Sequence, residues 1–254
     1  MPKLSVVIIT YNEERNIVRC LDSVKDLADE VVVVDSFSTD RTPELCRSAG
    51  VNFIQRKWEG YSATKNFATS QARYDWILSL DADEALSEEL RGSILKIKAG
   101  SEPVYCQFRR LTNYCGKWIR HCGWYPDFKL RMYDRRGASW KGEVHEKLVL
   151  SEPRKIILLS GDLLHYSYYT TAEHNRQLEK FSSISARQLF TKGERAGLLK
   201  IGLKTVSKFF KIYVVMRGFL DGYYGWVISV KSARESYLRY SELRRLRRQH
   251  HAPR

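Results

Sequence analysis

No glycine-rich nucleotide loop opens this chain. Neither Gly-x-Gly-x-x-Gly nor Gly-x-x-x-x-Gly-Lys follows its first apolar run, which argues against a dinucleotide fold and a P-loop nucleotidase. Phosphates, if bound, fall to a metal and cationic side chains. Cysteine is sparse: the five thiols Cys20, Cys46, Cys106, Cys115 and Cys122 are odd in number and contain no Cys-x-x-Cys. A zinc knuckle and a disulfide framework are therefore not expected, and reduced thiols in the cytosol are the simplest account. The run from Leu4 to Ile9 is too short for a secretory leader and meets Asn12-Glu13-Glu14 at once, so no signal peptide is expected. Acids are also short: Lys+Arg 43 against Asp+Glu 29 leaves a net charge of +14. That balance points to an anionic partner, whether nucleic acid, a lipid surface or a phosphorylated substrate.

An uninterrupted membrane span is missing too. Phe209 to Val230 has the length, but Lys211, Arg217 and Asp221 interrupt it, each costing about 2.5 to 3.5 kcal/mol at a bilayer centre. Lying in the interface is preferred over crossing. Tyr213, Tyr223, Tyr224 and Trp226 suit the headgroup level, and the tail from Lys231 holds eight Lys/Arg against two Glu, each base worth about 1 kcal/mol near anionic lipid. A helical lid with a solvated charged tail is the plainer reading of the same residues, and the two are compatible.

What is present is a core and a rhythm. With 254 residues at 43% hydrophobic, the chain can bury one large α/β domain plus an appendage. Leu4 to Thr10 and Glu30 to Asp35 are near-continuous β-branched runs, the mark of parallel strands covered on both faces. Asn12 reads as a helix N-cap with acids behind it, and Ile17, Val18, Leu21 and Val24 recur at helical spacing. A helix through Leu45 to Ala49 closed by Gly50, a strand at Val51 to Ile54, a helix from Tyr61 to Ala72 and a strand from Trp76 to Leu80 follow. The alternation βαβαβαβ predicts a doubly wound, mainly parallel sheet over residues 1–168, with a helical, basic, membrane-associating region over 169–254. A helix from Ser87 to Ala99 continues the first part, and Leu178, Phe181, Ile184 and Leu189 mark the apolar face of a helix in the second.

Ligands in such sheets bind beyond the carboxyl ends of the strands. Thr10-Tyr11-Asn12, Asp35-Ser36 and Asp81-Ala82-Asp83 are all strand ends. Each has a bland reading: Asn12 as a cap, Asp35 as a turn former, Asp83 as a residue ahead of the helix that Ser87 starts. A bare Asp-x-Asp arises roughly once by chance in a chain this long. Three such clusters at one sheet edge are harder to dismiss. Two carboxylates two residues apart at a strand end suit magnesium or manganese, which take carboxylate and water oxygens plus substrate phosphates.

The strings Ser5 to Glu13, Val34 to Thr42, Lys65-Asn66 and Asp81 to Glu84, in that order, resemble the family 2 glycosyltransferases of GT-A fold. The resemblance covers roughly residues 3 to 165. It implies that the Thr10–Asn12 loop and Asp35 hold the uracil of a UDP-sugar, that Lys65 lies near the donor, and that Asp81 and Asp83 bind ribose or sugar and the metal on its diphosphate. The candidate donor side is completed by Glu13, Ser36, Asp40, Asn66 and Arg131, the last placed to meet a diphosphate or to form a structural ion pair. Many family members carry an acidic pair and a glycine where this chain has Asp35-Ser36-Phe37.

The stretch Trp118 to Asp127 packs aromatic, glycine and polar residues into a loop suited to stacking a sugar acceptor, and Phe128 to Tyr133 and Trp140 to Glu146 read as strands about the turn at Arg135 to Gly137. Inverting transfer, which the resemblance implies, needs one base for the acceptor hydroxyl; Asp127, Glu146 and Glu143 are the candidates. His145 is a candidate metal ligand beside a structural alternative. Gly218 to Gly222, with Trp124 to Asp127 and Val144 to Glu146, is similar to the lipopolysaccharide core branch, in particular inner-core β-1,4-glucosyltransferases. That similarity implies a UDP-glucose donor, a heptose acceptor, a cytoplasmic enzyme peripheral on the inner face of the bacterial inner membrane, and no nucleic-acid partner. Sugar transfer to polyprenyl phosphate and a non-catalytic basic binding module are the competing expectations.

Overall fold

The computed structural model describes residues 2–100, 103–142 and 146–251. Glu143 and His145 lie outside the described residues. Contacts divide the chain into two compact units, Met1–Leu111 with Asp127–Tyr166, and Thr112–Pro126 with Ser167–Arg254.

The first unit is α/β. Strands β1 (Leu4–Thr10), β2 (Glu30–Asp35), β3 (Asn52–Gln55) and β4 (Trp76–Asp81) run parallel in the order β3-β2-β1-β4, linked by α1 (Ile17–Val24), α2 (Thr42–Ser48) and α3 (Tyr61–Ser70). Side-chain alternation divides the core between the two faces of this sheet. Leu4, Val6, Ile8, Val33, Trp76, Leu78 and Leu80 pack on one, and Val7, Ile9, Val32, Val34 and Ile77 on the other. Register sets Thr10 opposite Asp35 and Ile9 opposite Asp81, so the ends of β1, β2 and β4 are immediate neighbours.

Beyond β4 the sheet turns antiparallel. It continues β4-β8-β6-β11-β5 through β5 (Glu84–Leu86), β6 (Tyr105–Tyr114), β8 (Asp127–Asp134) and β11 (Ile156–Tyr168), with β7 (Lys117–Ile119) beside the end of β6. A separate hairpin is formed by β9 (Ala138–Lys141) and β10 (Lys147–Leu150). Helix α4 (Glu88–Lys98) starts on Ser87, whose hydroxyl accepts the Leu90 N–H at 3.2 Å.

Asn12 is not a helix cap. Helix α1 begins at Ile17, and Asn12 takes a left-handed backbone with φ 54°, a conformation asparagine tolerates better than most residues. Its side chain serves the neighbouring loop instead, as described below.

The second unit is helical, built on α5 (Thr171–Thr191), α6 (Leu198–Phe210) and α7 (Gly222–His251). Thr170 and Glu173 cap α5 reciprocally, each side chain taking the other's backbone N–H at 3.2 Å. The buried stripe of α5 is Leu178, Ser182 and Ala186, while Phe181 is 37% exposed, so the expected apolar face is rotated: small residues let the helix sit close. The stretch from Phe209 to Val230 is broken. After α6 come a π-turn at Lys211–Val215, a left-handed Arg217 and a 3-10 turn at Gly218–Asp221. Gly225 passes so close to Gly218 that an added Cβ would stand 1.8 Å from its carbonyl oxygen. Buried Asp221 fixes the turn by accepting the N–H groups of Arg120 at 3.2 Å and His121 at 2.8 Å. Among the described residues no helix is long and apolar enough to cross a membrane.

His174 sits in an aromatic cluster of this unit, its Nδ1 2.9 Å from the Tyr114 hydroxyl and its ring stacked on Tyr168. Burial, and then the Lys231 ammonium, push its imidazole down to about 4. The unfolded chain takes up a proton near pH 6.5 that the folded one refuses until about 4, so this contribution to stability is full above pH 6.5 and lost as pH falls to 4. Allowing for partial exposure, it amounts to roughly 1–2 kcal/mol. Urea titrations of the wild type and His174→Phe across that window are expected to show a shallower pH slope in the variant.

Candidate active site

The loops after β1 and β2 are tied to each other. Asn12 N–H donates to Ser38 Oγ at 2.7 Å, and Thr39 N–H to Asn12 Oδ1 at 2.8 Å. Glu13 N–H donates to Thr42 Oγ1 at 2.8 Å, Glu14 N–H to Asp40 Oδ2 at 3.0 Å, and Arg41 N–H to Glu14 at 3.1 Å. Burial alone would raise the Asp40 carboxyl, but the Thr42 hydroxyl and the N–H groups of Thr42 and Glu14 hold it below its ordinary value. Phe37 adopts a left-handed backbone with φ 60°, and its ring is turned outward, 55% exposed. Tyr11 is exposed at the same rim.

Asp35 is wholly buried at the end of β2. It accepts the Ser38 N–H and Gln55 Nε2 at 3.0 Å each, together with the Ser38 hydroxyl. Beside it, the hydroxyls of Thr10 and Ser36 are buried without a hydrogen-bond partner. Buried hydroxyls are rarely left unpaired, so two at adjacent strand ends are suited to a polar ligand.

The acids after β4 part company. Asp81 Oδ1 lies 2.9 Å from Lys65 Nζ and Oδ2 lies 2.7 Å from Arg131. Arg131 also meets Glu84 at 2.6 Å, and Lys65 meets Glu146 at 2.8 Å. Lys65 and Arg131 are 1% and 3% exposed, and the Glu84 side chain is fully covered. Burial works against the Asp81 carboxylate, yet the two cations outweigh it and hold the group far below its usual range. Arg131 thus forms the ion pair that is one of its two expected roles, and Lys65 bridges Asp81 and Glu146. Asn66 is a clamp on β9, accepting the Trp140 N–H at 2.8 Å and donating to its carbonyl at 2.9 Å.

Asp83 turns elsewhere, to His165 on β11, with Oδ2 3.1 Å from Nε2. Sequence reasoning missed His165. Its one signal was a polar residue inside the apolar strand run Leu163-Leu164-His165; His145, nearer the acids in sequence, drew attention instead. Around this pair the field is negative. Burial pushes the Glu13 carboxyl up to about 7 against the Asn16 amide, and Asp83 and Asp40 add to it. Burial, then the charges of Asp81, Glu146 and Asp83, push the Tyr61 phenol up.

Among the described residues no third His, Cys, Asp or Glu completes a metal cluster. The donor chemistry nevertheless fits a divalent cation: one carboxylate and one imidazole, with Asp81 already neutralised, leaves positions for phosphate oxygens and water. Asp127, at the start of β8, is paired with Arg110 at 2.7 Å and Lys129 at 3.0 Å.

Comparison with known proteins adds the following. The model of the family described as "Glycosyl transferase family 2" matches residues 5–148. An uncharacterized glycosyltransferase of Rickettsia typhi is 33% identical over 257 residues, covering 97% of this chain and 88% of that protein. The lipopolysaccharide core biosynthesis glycosyltransferase LpsC of Rhizobium meliloti is 29% identical, covering 95% of each. Among solved structures, S. aureus TarS 1-349 with UDP-GlcNAc superposes with a TM-score of 0.46 at 16% identity, covering 99% of this chain and 93% of that one.

Proposed function

The chain belongs to glycosyl transferase family 2, and from that premise we propose that it moves a hexose, glucose from UDP-glucose, onto a heptose of the lipopolysaccharide inner core with inversion at the anomeric carbon. The observation that carries this reading is the Asp83–His165 pair in the same unit as the buried, unpartnered hydroxyls of Thr10 and Ser36, at the neighbouring ends of β4, β1 and β2. The likeness to LpsC supports a core-oligosaccharide acceptor, and the net charge of +14 supports a phosphate-rich one.

In this mechanism Thr10, Ser36 and Asp35 receive the nucleoside, with Asp35 held in place by Ser38 and Gln55. Asp83 and His165 would hold a divalent cation, magnesium or manganese, which when bound would neutralise charge on the departing diphosphate. Lys65 and Arg131 keep Asp81 ionised and fixed, which sets the turn that aims Asp83. We assign the base to Glu146 over Asp127, because Glu146 shares Lys65 with Asp81, at 2.8 and 2.9 Å, whereas Asp127 is held between Arg110 and Lys129. It takes the proton of the acceptor hydroxyl as that oxygen attacks.

Transfer is tested with purified UDP-hexoses, manganese, and heptose-terminated core or polyprenyl phosphate as acceptor, reading UDP release. Turnover with UDP-glucose and the core acceptor is expected; no turnover with any donor and no thermal stabilisation by UDP overturns the reading. Glu146→Gln is expected to lower kcat by about 100- to 10,000-fold with donor affinity nearly unchanged, the range of one general base. Asp127→Asn is expected to lower it far less, and the reverse order moves the base to Asp127.

A further inference from the structure

Helix α6 carries two stripes side by side. Leu199, Leu203, Val206 and Phe210 recur at steps of four, three and four residues, which at 3.6 residues per turn is a single face. They are 77%, 63%, 56% and 57% exposed, whereas Ile201, on the side that packs into the unit, is 5% exposed. Lys200, Lys204, Lys208 and Lys211 recur at steps of four, four and three, so a basic stripe follows the apolar one at nearly every turn. Lys200 is also paired with Glu194 at 2.8 Å. From Gly197 to Arg217 there are five Lys/Arg and no Asp or Glu. The exposed apolar surface runs on past the helix through Val214 and Val215.

We infer that this face of α6 is a docking surface for a membrane bearing anionic lipid, the apolar stripe entering the acyl boundary and the lysines meeting phosphate headgroups. Charge complementarity selects the occupant. A second copy of the chain docking face to face would bring two acid-free basic stripes together, which repel. A nucleic acid would satisfy the lysines and leave the leucines and Phe210 in water. A lipid surface answers both stripes at once, with the polar edge at the headgroups and the apolar edge below them. The assignment differs from the sequence expectation, which put the interfacial segment at Phe209 to Val230; the exposed, regular amphipathic element is α6, ahead of the break.

This inference deepens the proposed acceptor without needing turnover, so the two fail separately. The full chain is floated with vesicles of phosphatidylcholine, with and without phosphatidylglycerol. The wild type is expected to bind the anionic vesicles at least about tenfold better than the neutral ones. Leu203→Glu with Phe210→Glu is expected to lower partition about tenfold or more, and Lys204→Glu with Lys211→Glu to remove the preference for phosphatidylglycerol. Circular dichroism and Tm are read alongside; all four positions are exposed, so the fold is expected to stand. Absent flotation of the wild type, flotation unchanged in both variants, or a wild-type dimer by light scattering that Leu203→Glu dissociates, each overturns the inference.

Discussion

Asp83→Ala is expected to lower sugar transfer by about a thousandfold, on the order of 4 kcal/mol of transition-state stabilisation, while the protein stays folded. The carboxylate is one of two protein donors facing the proposed cation, and its contact in the structure is the His165 imidazole at 3.1 Å. Its side chain is 26% exposed, so truncation opens no buried void. Asp81 has the same exposure but a different standing, since its loss would remove a carboxylate from both buried cations, leaving Lys65 to Glu146 and Arg131 to Glu84. Three readings separate chemistry from folding: UDP release under saturating donor, Tm without ligand, and the additional Tm shift given by manganese with UDP. Turnover and Tm shift are expected to disappear together while the ligand-free Tm holds. A variant that keeps turnover removes the cation from the proposed mechanism.

Arg131→Met is expected to cost about 3–5 kcal/mol of stability, the usual consequence of removing one partner from a buried ion pair. The guanidinium meets Glu84 at 2.6 Å and Asp81 at 2.7 Å; Glu84 has no exposed side-chain surface and a second cation, Arg110, only at 3.6 Å. Without Arg131 that carboxylate is buried with little to balance it. Urea unfolding of the variant should show the loss as a lowered midpoint. Arg131→Met with Glu84→Gln should recover part of it, because a neutral amide costs less to bury than an orphaned charge. A cost under about 1 kcal/mol in the single variant would show that Arg110 alone balances Glu84.

How far these features could be read in advance depended on how local their cause was. The β-branched runs of β1 and β2 and the apolar run of β4 declared buried parallel strands, and the polar residues that follow them marked the strand ends, because strand burial and strand termini are written in consecutive residues. Ser87 and Gly50 likewise announced a helix start and a helix stop. The pairings that define the site are long-range. Lys65 reaches Asp81 and Glu146, Arg131 reaches back to Glu84, and His165 comes to Asp83 from β11, whose register sets it opposite Glu84. Nothing in the spacing distinguishes a lysine that neutralises a carboxylate from one that awaits a phosphate. Asn12 failed as a cap for a related reason: its partner, the loop at Ser38 and Thr39, lies beyond a helix and a strand. The break after α6 was hidden because the Asp221 anchor that fixes it holds the N–H groups of Arg120 and His121, in a segment far from it in sequence.

The lacing between the first two loops carries a lesson for recombination among relatives. Five backbone N–H groups, those of Asn12, Glu13, Glu14, Thr39 and Arg41, depend on side chains contributed by the opposite loop. A crossover placed anywhere between them would inherit half a set of knots. The span from Thr10 to Thr42 is therefore the smallest cassette that can be exchanged with its backbone hydrogen bonds intact, and drift at one end of it obliges an answering change at the other.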